Sequence, residues 1–266
     1  MTQARTTVKS SALVSLQCSR QRGRLTDMAS PPTPGARARV RAELTDEIKV
    51  IARRHLAEHG AESLSLRAVA REQGMVSSAI YRYFPSRDHL LTALIVDSYR
   101  AVGVAAERAD AACRRDDLVG RWLATARGVR AWALEHPHEY ALVYGSPIAG
   151  YAAPTDTIDP ALGVIMVHIR ILIDAVEAGQ AIATPAFETT RAVRADLAAI
   201  RAAIAPGVPD GVLSNGLLVW MQLFGSISYE LFGHFENVIS DRDAFFDLQM
   251  RQAGRLVFAE SQTSEA

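Results

Sequence analysis

Two stretches of this 266-residue chain carry residue types at spacings that can act on another molecule. The first runs from Ser65 to Phe84. Leu66, Val69 and Ala70 fall on one side of a first short helix, Ile80 and Phe84 on the inner side of a second, and Gly74 permits a sharp turn between them. That wedge turns Ser77, Ser78, Ala79, Tyr81 and Tyr83 outward, the geometry that sets a recognition helix in the major groove while flanking groups hold phosphates. Only Arg82 has the reach to pair in bidentate fashion with a guanine edge, so direct base readout is thin. The second stretch, His138-Glu139-Tyr140, has acid and base groups, but neighbours along one helical turn do not face a common point, so acid-base work there is weakly supported.

No Gly-rich phosphate loop, Gly-x-Ser-x-Gly elbow, His-Glu-x-x-His pair or cysteine cluster occurs, which argues against an enzyme and predicts no cofactor. Cys18 and Cys113 stand far apart without neighbouring ligands, so neither a disulfide framework nor a metal site is expected. A helical enzyme, or an adaptor whose helix pair no longer meets DNA, is the competing reading.

The elements that must position these groups are helical throughout. Leu44, Ile48, Ile51 and Leu56 mark a first helix from Arg37 that stops at Gly60. Ser65 is placed to cap a short second helix, Ser77–Tyr83 forms a third, and Leu91, Leu94, Ile95, Ser98 and Val102 trace one face of a fourth, Asp88–Ala109. Further helices are expected over Asp117–Glu135, His138–Tyr144, Pro160–Gly179, Pro185–Ile204, Leu213–Phe235 and Asp243–Ala259. No stretch alternates with period two between hairpin turns, so the fold class is all-α. The domains read as a disordered basic arm over 1–36, a three-helix DNA-binding domain over 37–101 and a larger helical domain over 102–260.

Charge agrees with that division. Residues 1–92 hold 15 basic and 8 acidic side chains, so the first third is net positive and the rest, in a chain of zero net charge, equally negative. A basic block suggests a polyanionic partner for the N-terminal part. Residues 1–26 lack an apolar segment of signal-peptide length, which predicts a cytoplasmic protein, and Met28 is an alternative start. The uncharged run between Asp210 and Glu230 has the length of a membrane span but contains Ser214, Asn215, Gln222 and three glycines, so a buried helix is expected and no membrane partner.

The run Leu-Ser-x-Arg-x-Val-Ala, a Gly turn, Ile-Tyr-x-Tyr-Phe and then Ser86-Arg87-Asp88-x-Leu90-Leu91 resembles the DNA-binding domain of the TetR family of repressors, over about Arg41–Ala101. The resemblance implies phosphate contacts by Arg67, Tyr81, Tyr83 and Arg87, and places Ser77, Ser78 and Ala79 nearest base edges. It implies a homodimer on a palindromic double-stranded DNA operator, released by a small-molecule inducer. Two departures stand out: Val76 replaces the usual Ser, which shifts the expected cap to Ser77, and Tyr83 replaces the commoner His. Arg37, Arg39 and Arg41 are expected to add phosphate or minor-groove contacts. The C-terminal part resembles the WHG type through His136-Pro137-His138-Glu139-Tyr140, Tyr144-Gly145-Ser146-Pro147, Gly150-Tyr151, and Trp220 through Gly225, Glu230, Gly233 and His234.

The helix around Trp220 carries two apolar stripes. Leu213, Leu217, Trp220, Phe224, Ile227 and Leu231 are expected to pack on their own domain, and Leu218, Met221, Gly225, Ser228 and Phe232 to build a two-fold interface. Trp122, Tyr140, Tyr144, Trp220 and Phe224, with Trp132 and Phe187, are candidates for an apolar pocket that favours a lipophilic inducer. The fourth helix joins the two domains and is the expected transmitter.

Overall fold

The computed structural model describes residues 35–182 and 189–259. The expected arm, apart from its last two residues, and Phe187 lie outside the described residues. Among the described residues the structure is helical, with no strand beyond an isolated bridge between Ala181 and Phe258. The all-α class is as expected.

The chain forms two compact units. The first comprises residues 35–98 and 138–158. It holds α1 (Ala36–His59), α2 (Leu66–Glu72), a 3-10 turn at Ile80–Arg82, the beginning of α3 (Arg87–Ala111) and most of α5 (Pro137–Tyr144). Ile48, Ile51, Leu56, Leu91, Leu94, Ile95 and Ser98, all on the faces read from periodicity, are buried. Salt bridges hold α3 to α1, with Asp97 meeting Lys49 at 3.0 Å and Arg53 at 2.9 Å. The returning segment belongs here too: Glu139 lies 4.0 Å from Arg53, and the Tyr151 hydroxyl is 2.9 Å from that of Thr92.

The second unit comprises residues 99–137, 159–182 and 189–259. It holds the rest of α3, α4 (Leu118–Glu135), α6 (Ile158–Ala161), α7 (Gly163–Glu177), α8 (Arg191–Ile204), α9 (Asp210–Leu231) and α10 (Arg242–Gly254). Asp117 and Asp241 cap α4 and α10 by accepting backbone N–H bonds from Gly120 and Ala244. α3 and α7 cross glycine to glycine: a Cβ on Gly163 would lie 3.1 Å from the Gly103 Cα, so only hydrogen fits between the two backbones.

One buried cluster organises the start of this unit. The Arg121 guanidinium, with no exposed surface, donates to Asp110 at 2.7 Å, to Asp174 at 2.6 Å and to the Arg115 carbonyl at 3.2 Å. It thereby ties the end of α3 to α4 and α7. At the other end of α4, Arg130 donates two 2.7 Å bonds to buried Glu230, meets Asp243 and lies over the Phe246 ring.

The register of α9 differs from the one expected. Its buried face is Val212, Leu213, Gly216, Val219, Leu223, Ser226, Ile227 and Glu230, so Trp220 and Phe224 are only half-buried. The reason is that Gly216 and Glu230 face inward: Leu172 fills the space above Gly216, and Arg130 neutralises Glu230. Neither residue registers in a search for apolar period.

Candidate nucleic-acid interface

The helix pair is built on α2 and its exit. Leu66, Val69, Ala70, Ile80 and Phe84 are buried, as their spacing predicts. Gly74 sits at φ +73°, and the N–H groups of Gly74 and Met75 donate to the Arg71 and Ala70 carbonyls, a Schellman ending that reverses the chain. Glu72 fastens this corner to α1 through His55 at 2.6 Å and through Arg54, while Gln73 donates to Glu47 at 2.6 Å.

Two expectations about local structure need correction. Ser65 precedes α2, but its hydroxyl makes no capping bond; its carbonyl accepts from Val69 instead. The segment expected to be a third helix over Ser77–Tyr83 is a turn at 77–79 followed by the 3-10 turn at Ile80–Arg82, with no side-chain cap. Its bonds run three residues back, Ala79 to Val76, Arg82 to Ala79 and Tyr83 to Ile80. The next bond spans four residues, Phe84 to Ile80 at 3.0 Å, and this α-type step sets Phe84 on the same inner side as Ile80.

Ser77, Ser78, Tyr81 and Arg82 are exposed on this segment, Ala79 and Tyr83 are half-buried, and Arg67 is exposed on α2. Val76 is 72% exposed, an apolar side chain beside the two serines. Arg87 is engaged within the fold. It donates to the Ala61 carbonyl at 2.8 Å and the Glu62 carbonyl at 3.4 Å, bracing the connection that enters α2. Arg41 is likewise engaged, donating to the Arg82 carbonyl at 2.6 Å with its guanidinium 5.2 Å from the centre of the Tyr83 ring. Sequence reasoning assigned Arg41 to an external role; the separation of 41 residues between it and Arg82 hides the contact. Arg87→Ala is expected to destabilise the chain by about 1–2 kcal/mol, because a charged donor leaves two backbone carbonyls. Urea unfolding measures it, and an unchanged midpoint would contradict the bracing role.

The other candidate residues divide between the units. Tyr140 and Tyr144 belong to the first, their rings 5.1 Å apart; Trp122, Trp220 and Phe224 belong to the second. The buried Trp122 indole N–H donates to the Met250 carbonyl at 2.8 Å, and Trp220 meets Phe224 edge-on at 5.2 Å. Trp132 stacks on His136 at 5.3 Å. In the other stripe of α9, Leu218 and Met221 are half or more exposed, Phe232 is 48% exposed and Ser228 half-buried, and a Cβ on Gly225 would meet nothing within 4 Å.

Sequence reasoning missed His168. It lies in α7, packs 5.3 Å from Trp122, and its Nε2 is 2.9 Å from the Gly216 carbonyl. The carbonyl can only accept, so Nε2 carries the proton and Nδ1 is bare. Burial lowers the imidazole from 6.5 to about 4, against the opposing pull of the carbonyl. The available signal was a histidine flanked on both sides by apolar residues, Val164–Val167 before it and Ile169, Ile171 and Leu172 after it. Between pH 6.5 and 4 the unfolded chain takes up a proton that the fold refuses, so stability falls as pH falls through that window, by about 3 kcal/mol in all. His168→Gln, which cannot charge, should lack this slope; equal slopes in unfolding series at pH 7 and 4.5 would refute it.

A turn closed by glycine between two short buried-faced segments, with serine, tyrosine and arginine along its outer edge, defines a helix-turn-helix DNA-binding regulator. Residues 50–94 match the model of the bacterial regulatory proteins of the tetR family, and residues 122–253 that of the tetracyclin repressor-like C-terminal domain. The HTH-type transcriptional regulators Mb1846 of Mycobacterium bovis and Rv1816 of Mycobacterium tuberculosis are each 39% identical over 227 residues, covering 82% of this chain and 93% of theirs. The crystal structure of SCO4313, assigned as a regulatory protein, superposes with a TM-score of 0.67 at 35% identity, covering 83% of this chain and 98% of that one. The chain belongs to the TetR family of transcriptional regulators, and its relatives are regulators of transcription, not enzymes. Among the described residues, no helix is long and apolar enough to cross a membrane.

Proposed function

We propose that the chain is a cytoplasmic, homodimeric repressor that binds a palindromic operator and is released when its C-terminal region takes up a small lipophilic molecule. The observation that carries the DNA half of this reading is the exposed edge Ser77, Ser78, Tyr81 and Arg82, held by the Gly74 ending. Arg67, Tyr81 and Tyr83 are assigned to phosphates, with Arg87 positioned to do so from its brace; Ser77, Ser78, Ala79 and Arg82 face base edges, and exposed Val76 suits a thymine methyl. The domains are read as 37–101 for DNA and 102–260 for ligand and pairing.

Pairing is assigned to Leu218, Met221, Gly225, Ser228 and Phe232. Exposed apolar side chains beside an open glycine suit close approach of a second copy, and two copies would set their recognition segments one duplex turn apart, roughly 34–36 Å. The inducer is assigned to the region of Trp122, Trp220 and Phe224; Tyr140 and Tyr144 are retained as candidates from the first unit. Release then requires unequal affinity of the inducer for two arrangements, with α3 as transmitter.

Selection of bound duplexes from a random pool with the full chain tests this reading. A near-palindrome whose affinity falls steeply with salt is the expected product. Recovery of no sequence above background at low salt would overturn it.

A further inference from the structure

The recognition segment is tied to α1 at both of its ends, by different means. At its start, Glu72 and Gln73 fasten the Gly74 corner to His55, Arg54 and Glu47. At its exit the tie is a single side chain. Arg41, in the second turn of α1, donates to the Arg82 carbonyl at 2.6 Å and sets its guanidinium 5.2 Å from the centre of the Tyr83 ring.

The sequence explains why that carbonyl needs a donor from elsewhere. In 3-10 winding each carbonyl accepts from the N–H three residues on, as those of Ala79 and Ile80 do from Arg82 and Tyr83. Three residues after Arg82 stands Pro85, which has no N–H to give. Arg41 supplies the missing donor from another helix, with the added strength of a charged group. Packing holds the segment only lightly: Ile80 is the one buried residue among Ser77–Tyr83, and no side chain caps the turn. A stretch pinned by one apolar side chain is free to roll about it. Rolling would displace Arg82, the one side chain of the segment with bidentate reach, from a base edge.

We propose that Arg41 is a positioning residue for base recognition: it closes the recognition segment from α1, fixes the backbone of Arg82 and Tyr83, and so sets sequence discrimination rather than general attraction to DNA. This rests on the reading of Ser77, Ser78, Tyr81 and Arg82 as the DNA-facing edge. A brace and a phosphate contact leave different signatures. Each phosphate neutralised adds about 0.9 to the steepness of log affinity against log salt, whatever the sequence. A brace releases no counterion, and its loss falls on the cognate duplex.

Arg41→Gln in the full chain is the test, with and without DNA. Without DNA, amide exchange at Tyr83 and Phe84, whose N–H groups bond to the Ile80 carbonyl, should speed up about tenfold while α2 is unchanged. Arg41 is exposed, so the thermal midpoint should scarcely move. With DNA, the probes are the duplex that the parent chain selects from a random pool and a scrambled duplex of equal length. Affinity for the first should fall about tenfold and for the second less than about twofold, with the salt slope within about 0.3 of the parent's. Arg82→Ala removes the base reader but keeps the carbonyl. In that background Arg41→Gln should lower discrimination by less than about twofold, since the brace has little left to aim. The proposal is overturned if exchange at Tyr83 and Phe84 is unchanged, if both duplexes lose affinity equally with a slope lower by about 0.9, or if the two substitutions act independently on discrimination. A parent chain that selects no duplex defeats the DNA-facing reading and this proposal together; a parent that selects one, with Arg41→Gln discriminating equally well, defeats the proposal alone.

Discussion

Arg121→Met is expected to destabilise the chain by about 3–5 kcal/mol in urea unfolding, although methionine matches much of the lost volume. Arg121 is fully buried and Asp110 nearly so, and the two meet at 2.7 Å. Removing the guanidinium leaves a carboxylate enclosed, with only the largely exposed Arg115, at 3.1 Å, still on it. The desolvation of Asp110 then stands without its main compensation, which is why deleting one member of a buried pair costs more than the pair contributes. Changing Asp110 to leucine in the same chain should recover most of the loss. A single variant within about 0.5 kcal/mol of the parent, the range of an ordinary surface change, would show that the cluster is dispensable.

The second large effect concerns assembly. In the proposed two-fold assembly, Leu218→Asp with Met221→Asp is expected to leave the chain monomeric at micromolar concentration and to weaken operator binding at least about 100-fold. Two carboxylates would enter an apolar contact, and a monomer loses the effective concentration by which one bound half-site holds the other. Both side chains are half or more exposed in the single chain, so the thermal midpoint should scarcely move. Sedimentation and duplex titration measure the outcome. An intact dimer with unaltered operator affinity would remove these residues from the interface.

Much of the fold is legible in the sequence because helical periodicity is a local signal. The faces Ile48, Ile51, Leu56 and Leu91, Leu94, Ile95 are buried where period 3.6 puts them, and the turn at Gly74 follows from the residue type that takes its positive φ at no steric cost. What escaped depends on partners distant in sequence. Arg41 finds the Arg82 carbonyl, Glu230 is made internal by Arg130, and α9 seats itself through Gly216 against Leu172. A pattern of apolar residues cannot weigh a glycine or a neutralised carboxylate. The Ser77–Tyr83 segment eluded it differently: with Ile80 its one buried residue, so short a stretch has no apolar period by which to distinguish α from 3-10 winding.

The candidate site was legible in proportion to how local it is. Ser77, Ser78, Tyr81 and Arg82 lie in one continuous stretch, and their exposure could be read from spacing. His168 is the opposite case: its burial against Trp122 of α4 and the Gly216 carbonyl of α9 shows only once those helices are packed.

The chain contributes to its first unit twice, up to Ser98 and again over residues 138–158, with part of the second unit made in between. During synthesis, then, the DNA-reading module lacks Glu139 and Tyr151 until a good portion of its neighbour has already emerged from the ribosome. It also follows that exchanging reading heads between relatives through a single splice near residue 101 would strand that inserted piece in the wrong parent. A working chimera needs the 138–158 segment to travel with the head it belongs to.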